Sequence, residues 1–482
     1  MADATTRSLG FHSLTGEREA VLSLEGSLPD WLSGSLIRNG PGAFELGGAS
    51  VDHWFDGLAL LRRFTIDGAA DAVAYRDRFL RSDTYSRARQ GSFSGGFATG
   101  DGGLLSRLWG LLVADPYDNA NVIVDRVGEE YLAMTETPRR VRVDPATLDT
   151  LGHAQYDGPA PAGQLACAHV SRDPDGTVVN VETAFGRQSE YHVFEAPAPD
   201  ARRHVATVPV DEPAYLHDFA ATESYVVLVE FPFVVDPLDI FRPGKGGFVD
   251  WFRWEPDRGT RVRVIARDSG EEVARPTAPP VFGFHHANAY ERDGELVLDV
   301  ETVPDATAVA DLDLSALRAG ALDALGGRID RYRVDPDAGT VDVERLYDGA
   351  TALPTVSPAV EGRRHRYVYA QHADQPIDDW PREVVKFDVR RRQAETFRTD
   401  ADAYLSEPVF VPRPDGEAED DGVVLTVSLD PATEQSALLA LDAATLDRLA
   451  RAPLPDALPF DFHGRWFPEL DRATVAAGGG WP

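Results

Sequence analysis

Along most of this chain, apolar and polar residues alternate with a period of two, in short runs broken by Asp, Pro and Gly. An apolar residue followed by an acidic one closes such a run at Ile66-Asp67, Val143-Asp144, Phe194-Glu195, Trp254-Glu255, Val334-Asp335, Phe387-Asp388 and Leu441-Asp442. A short polar turn follows most of them, as in Asp144-Pro-Ala-Thr, Asp335-Pro-Asp-Ala-Gly-Thr and Asp442-Ala-Ala-Thr, before another alternating run begins. Each unit therefore has the pattern of a β-hairpin. Seven such hairpins, spaced 51 to 80 residues apart, leave room for several short strands per unit. The pattern predicts an all-β fold, a seven-bladed β-propeller with one outer hairpin per blade. Paired β-sandwiches would also show many short strands, but they predict no unit recurring from end to end.

Three segments interrupt this rhythm and read as a small helical and loop cap on a single domain spanning 1–482: 81–122, 231–247 and 305–327. The first joins a Ser/Gly-rich stretch to the apolar residues Leu104, Leu105, Leu108, Trp109, Leu111 and Leu112. The second carries Phe231 and Phe233, followed by Leu238, Ile240 and Phe241. Such patches pack onto the propeller face, or they form an apolar entrance that touches a membrane surface and admits a lipid-like substrate. In the third segment, residues 312–325 read as one short helix.

Composition narrows the function. Seventy-nine acidic against 47 basic residues give a formal charge of −32, and only two lysines occur, Lys245 and Lys386. This balance points to a salt-adapted (halophilic) cytoplasmic protein, because concentrated salt screens acidic self-repulsion. An acidic protein from a GC-rich genome would look similar. Nucleic-acid binding is disfavoured, since no Lys/Arg run offsets the negative field. The single cysteine, Cys167, excludes an internal disulfide and reads as small buried filler. No apolar leader and no run of 18 apolar residues is visible, so the expected place is the cytoplasm, with peripheral membrane contact at most.

Four of the 12 histidines, His169, His217, His285 and His463, fall between 21 and 30 residues after a hairpin acid. Glu407 takes the same slot after Asp388. That offset crosses an outer strand and enters the innermost strand of the next blade, so the four imidazoles converge on the propeller axis. Four neutral imidazoles without a carboxylate ligand suit Fe(II), Cu(II) or Zn(II). Zinc settles at four tetrahedral ligands, whereas open positions beside four histidines favour iron that must also hold O2. Ligating histidines need a partner for the other ring nitrogen, and Glu407 and Glu136 are the candidates, with Glu136 expected on the next inner strand after the first hairpin.

The chain resembles the carotenoid cleavage oxygenase family, which includes apocarotenoid and stilbene cleaving dioxygenases and the retinoid isomerase of the visual cycle. The matching residues run through almost the whole length: Arg38-Asn-Gly-Pro-Gly, His53-Trp-Phe-Asp-Gly57, Thr135-Glu136-Thr, Ala168-His169, Leu216-His217-Asp218-Phe219, Phe284-His285-His286-Ala-Asn288, Ser406-Glu407-Pro-Val-Phe-Val, Glu419-Asp-Asp-Gly-Val-Val-Leu and Phe462-His463-Gly464. The resemblance implies a seven-bladed propeller with Fe(II) on its axis, held by His169, His217, His285 and His463, with Glu136 and Glu407 behind the ligands. Within the pair His285-His286, it assigns the metal to His285, and strand alternation sends His286 to the other side. It also implies a third carboxylate where this chain reads Thr351-Ala352-Leu353-Pro354, so that position is empty at Ala352, and Glu361 lies too far along to substitute. The expected consequence is weaker orientation of His285, at about 10–100-fold in affinity or activity.

The activity implied is oxidative cleavage of a C=C bond by O2, with an apolar polyene as substrate and two aldehydes as products. A salt-adapted organism that makes retinal proteins needs a route from carotene to retinal. Two alternatives differ in chemistry. A stilbene-type dioxygenase needs polar residues gripping a phenol, for which Lys245 or Lys386 would have to serve. A non-catalytic carotenoid or retinoid carrier would keep the pocket and retain its pigment.

Overall fold

The computed structural model describes residues 8–92, 96–99, 117–156, 163–239, 247–320, 326–375, 377 and 379–481. Its antiparallel sheets form the seven blades of a β-propeller. The second blade shows the plan: Ile123–Val127 inside, then Glu130–Met134, Val141–Val143 and Thr150–His153 at the rim. The fifth and sixth blades share one long strand, Thr340–Thr355. Its first half pairs with Gly327–Asp335, while Ala350–Thr355 pairs with Tyr367–Ala373 of the next blade. The ring closes on itself at both ends of the chain. Gly464–Phe467 lies against Ser33–Arg38 in the first blade, and Glu25–Gly26 adds to the rim of the last one.

Most hairpin acids work as turn caps. The Asp144 carboxylate accepts the Ala146 and Thr147 N–H groups, Asp388 accepts those of Arg390 and Arg391, and Asp442 accepts those of Ala444 and Thr445. These are the local side-chain to backbone bonds that make Asp a turn residue. A left-handed residue then completes each turn: Leu148 (φ 64°), Arg392 (55°) and Leu446 (60°).

One of the seven markers was misleading. Trp254 belongs to a two-stranded ribbon, Phe233–Val234 with Arg253–Trp254, outside the blade ladder. The rim hairpin of the fourth blade instead joins Thr260–Ala266 to Glu272–Ala274. A ribbon also alternates in polarity, so the pattern alone does not separate the two.

Central strands are buried on both sides, because each blade lies between two others. Val179, Val181, Tyr191 and Val193 of the third blade pack with Val226, Leu228 and Ile265 of the fourth. Fully burying each such side chain contributes roughly 1.5–3 kcal/mol before entropy is counted.

Within the expected cap segments, Asp83–Arg89 forms a helix N-capped by Ser82. Two short helices, Thr307–Ala310 and Leu314–Ala319, replace the single one expected near 312–325. Asp313 caps the second through the Ser315 and Ala316 N–H groups, and Gly320 (φ 89°) ends it. Residues 321–325 lie outside the described residues, as do Leu104, Leu105, Leu108, Trp109, Leu111 and Leu112, together with Ile240 and Phe241. Phe231 and Phe233 are not surface contacts. They are 4% and 8% exposed within the main apolar cluster, against Phe282 and Phe252. Among the described residues of that patch, Leu238, at 70%, faces solvent. No helix among the described residues is long and apolar enough to cross a membrane.

Candidate metal centre

Each of the four histidines lies on, or directly before, an innermost strand. His169 falls between Leu165–Ala166 and Ser171–Arg172, and His217 shortly precedes Ala220–Ala221. His285 and His463 directly precede His286–Arg292 and Gly464–Phe467. Neighbouring segments are stitched together by their backbones: Ala168 N–H donates to the His217 carbonyl (3.1 Å), and Asn39 N–H to the His463 carbonyl (2.9 Å). The Asn180 side chain fixes the His169 carbonyl at 2.7 Å.

The four rings converge. One nitrogen from each lies within 4.8 Å of the others, and the ring centroids of His169 and His463 are 4.3 Å apart. Three rings are oriented from behind by carboxylates. His217 Nδ1–H donates to Glu136 at 2.6 Å, His463 Nδ1–H to Glu407 at 2.7 Å, and His285 Nδ1–H to Glu301 at 2.9 Å. Each ring therefore turns its Nε2 towards the centre. The Nε2 atoms of His169 and His285 are buried without a hydrogen-bond partner, which is costly unless something accepts the lone pair.

Electrostatics favour the same occupant. Burial, reinforced by the neighbouring imidazoles, holds His169 and His285 well below the ordinary histidine range and His463 at about 3. These rings are neutral, the form that ligates metal. Burial pushes Glu301 up to about 8 and Glu407 up to about 7, Arg38 opposing the latter shift. Buried carboxylates behind neutral rings are what a divalent cation at the centre would compensate. The donor set fits a transition metal.

Glu301 corrects the expectation of an unsupported His285. The position at Ala352 is indeed empty of a carboxylate, but the support comes from the second strand of the blade that His285 opens, Glu295–Thr302. Glu136 also departs from its expected inner strand and follows the second strand of its blade, Glu130–Met134. Here Tyr215 Oη–H also donates to it. A signal for both was present. An acid recurs near the end of second strands as Thr135-Glu136-Thr, Val181-Glu182-Thr, Val229-Glu230-Phe and Val300-Glu301-Thr. Glu407 lies on the inner strand of its blade, between Tyr404–Leu405 and Val409–Pro412, as expected.

His286 takes the structural place expected of it, with its backbone N–H 2.9 Å from the Asp218 carboxylate and Nδ1 3.3 Å from it. Cys167 is buried filler with its thiol towards the Leu216 carbonyl. A second grouping, Asp83, Asp118 and His153, is consumed by structure. Asp118 accepts the Asp83 and Thr84 N–H groups at the helix start, and Asp83 pairs with Arg139.

Aromatic rings flank one side of the cluster. His53 and Asp56 of the His53–Gly57 motif brace a one-turn helix, His53 Nδ1 accepting Phe55 N–H and Asp56 accepting Ala98 and Thr99 N–H. Phe55 is thereby set 6.3 Å from the His217 ring, with Phe284 5.6 Å from the same ring and Phe462 5.4 Å from Phe55. The motif was visible in the sequence; its use as a bracket for Phe55 was not.

Comparison with known proteins fits this geometry. The model of the retinal pigment epithelial membrane protein family matches residues 11–468. The chain belongs to this family, that of the carotenoid cleavage oxygenases. Mouse (Mus musculus) β,β-carotene 15,15'-dioxygenase is 32% identical over 93% of this chain and 89% of its own. The apocarotenoid-15,15'-oxygenase of Synechocystis is 29% identical over 92% of each. A solved structure of a substituted Synechocystis apocarotenoid oxygenase superposes with a TM-score of 0.85 at 28% identity, covering 96% of this chain and 99% of that one. A cobalt-substituted form of the same oxygenase gives 0.84 at 27%. In this member of the family, four histidines converge and the carboxylate behind His285 is that of Glu301.

Proposed function

We propose that the chain is a non-haem Fe(II) dioxygenase that cleaves a C=C bond of a carotenoid or apocarotenoid into two carbonyl products. The observation that carries this reading is a cluster of four converging imidazoles, three braced by carboxylates, with an aromatic flank. Relatives over nearly the whole length are carotenoid and apocarotenoid oxygenases. His169, His217, His285 and His463 would hold the ion. Four nitrogen ligands leave coordination open, which suits iron better than a closed zinc site. A bound Fe(II) supplies the redox chemistry by which O2 adds across the double bond.

The rest falls to the chain. Glu136, Glu301 and Glu407 fix which nitrogen of each ring faces the centre. Phe55, Phe284 and Phe462 give a polyene an apolar flank and exclude water, with burial contributing about 25 cal/mol per Å². Described parts of the segments expected to cap this face are tied to the Phe55 bracket: Leu314 N–H donates to the Asp52 carbonyl, and Ala98 and Thr99 N–H donate to the Asp56 carboxylate. No general acid or base is required. Lys386 is committed to Asp420 (2.6 Å) and the Ala444 carbonyl, so it is not available to grip a phenol. Lys245 lies outside the described residues.

The test is anaerobic Fe(II) loading, followed by O2 uptake and mass spectrometry of products from a panel of carotenoids, apocarotenoids and stilbenes. Two aldehydes from a carotenoid or apocarotenoid, with O2 consumed mole for mole, are expected. Pigment retained and recovered intact would make the protein a carrier, and cleavage confined to stilbenes would overturn the substrate class.

A further inference from the structure

The repeated second-strand acids are put to different uses. Glu182 pairs with Arg202, and Glu230 with Arg263 and the Tyr191 hydroxyl. Glu301 is 6% exposed, and among the described residues its ion-pair partner is His285. A buried carboxylate with no arginine or lysine is expensive as a purely structural element.

The surroundings of Glu301 are shaped to hold it. Its backbone N–H donates to the His285 carbonyl at 2.9 Å, so one residue fixes both the main chain and the ring of His285. A Cβ on Gly327 would lie 2.5 Å from the Thr351 carbonyl oxygen, 2.6 Å from Glu301 Oε1 and 2.8 Å from its Cγ, so the carboxylate and the neighbouring strand together fill the volume that a side chain at 327 would need. Gly327 has no left-handed φ; the glycine supplies room. The Leu353 N–H donates to the Glu301 carboxylate. To point it there, Leu353 adopts φ 52°, and pairing slips between Ala352 and Thr355. A left-handed non-glycine residue costs about 1–2 kcal/mol, and here it sits beside the residue where a carboxylate was expected and is missing.

We infer that Glu301 is a relocated positioning residue: it holds Nδ1–H of His285 from the second strand of that histidine's own blade, in place of the side chain absent at Ala352. This rests on the metal-centre reading above. Glu301 and a carboxylate at position 352 are alternatives for one pocket, and Gly327 with Ala352 is what makes room for the first. His285 and its support are then encoded in a single hairpin, His286–Arg292 with Glu295–Thr302, whereas Glu136 and Glu407 reach histidines of other blades.

The test measures Co(II) and anaerobic Fe(II) affinity by chelator competition on the full chain, together with the visible spectrum of the cobalt form and far-UV circular dichroism. Glu301→Gln should weaken binding by about 10–100-fold and shift the cobalt bands. Glu301→Gln/Ala352→Glu should recover most of the affinity, and Ala352→Glu alone should weaken it, because two carboxylates then contest one pocket. Gly327→Ala should act in the same direction as Glu301→Gln and add little to it in the double variant, as coupled sites do. Wild-type affinity and spectrum in both Glu301→Gln and Gly327→Ala would overturn the inference. Should Glu301→Gln fail to fold, Gly327→Ala and Ala352→Glu carry the test. His217→Ala separates the two readings: metal lost there but kept in Glu301→Gln defeats only the relocation, while metal kept in both defeats the four-histidine centre.

Discussion

Arg38 lies fully buried with its guanidinium across the Asp461 carboxylate, Nε and Nη2 donating at 2.6 and 2.7 Å. Its Nη1 reaches the Glu407 carbonyl at 3.1 Å, and Glu407 in turn holds His463 and the Gly464 N–H. A chain of charge-assisted bonds thus runs from the first motif of the sequence to the last ring of the histidine cluster. The motif around Arg38 was legible; its target was not, because the partner lies more than four hundred residues away and only ring closure brings the two together. Arg38→Met should destabilise the protein by about 3–5 kcal/mol, since the buried Asp461 loses its two-bond guanidinium partner and keeps Arg62 and the Ser406 side chain. Denaturant unfolding followed by tryptophan fluorescence would measure it, and a loss below about 1 kcal/mol would contradict the account. At this scale the four converging histidines were readable because they repeat in register at the inner strands. Glu301 was missed because it sits on a second strand, where the same recurring acid elsewhere makes ordinary ion pairs.

Among the elements, the rim hairpins were the most legible, since an Asp that caps its own turn leaves a local mark. Where the mark was absent, as in the fourth blade, the expected hairpin fell on the Arg253–Trp254 ribbon instead. The short cap helices were blurred for a related reason. Asp313 and Gly320 delimit the second helix by local chemistry, but the break before it depends on Leu314 N–H bonding the Asp52 carbonyl, a tertiary contact. Asp442→Ala removes the carboxylate that accepts two backbone N–H groups in one rim turn and should cost about 1 kcal/mol. The cost should appear as a lower denaturation midpoint at unchanged metal affinity, because the turn lies at the opposite end of the blade from the histidines. A drop in metal affinity would show that rim and axis are coupled more tightly than this architecture implies.

For the whole molecule, the seven-blade ring is what turns four unremarkable histidines into one site. No local segment contains the centre: His169, His217, His285 and His463 come from four blades, and the last of them is placed only when Gly464–Phe467 pairs back onto Ser33–Arg38. The recurring unit made the ring legible, whereas the shared strand Thr340–Thr355 and the two-ended closure depend on pairings that no single unit records. The central claim, that the four axial imidazoles together hold one metal ion, is tested most directly by iron content. After anaerobic Fe(II) loading and desalting, the wild-type chain should retain one iron per molecule, and His217→Ala should retain almost none while its β-rich circular dichroism spectrum is unchanged. A folded His217→Ala variant with a full complement of iron would contradict it.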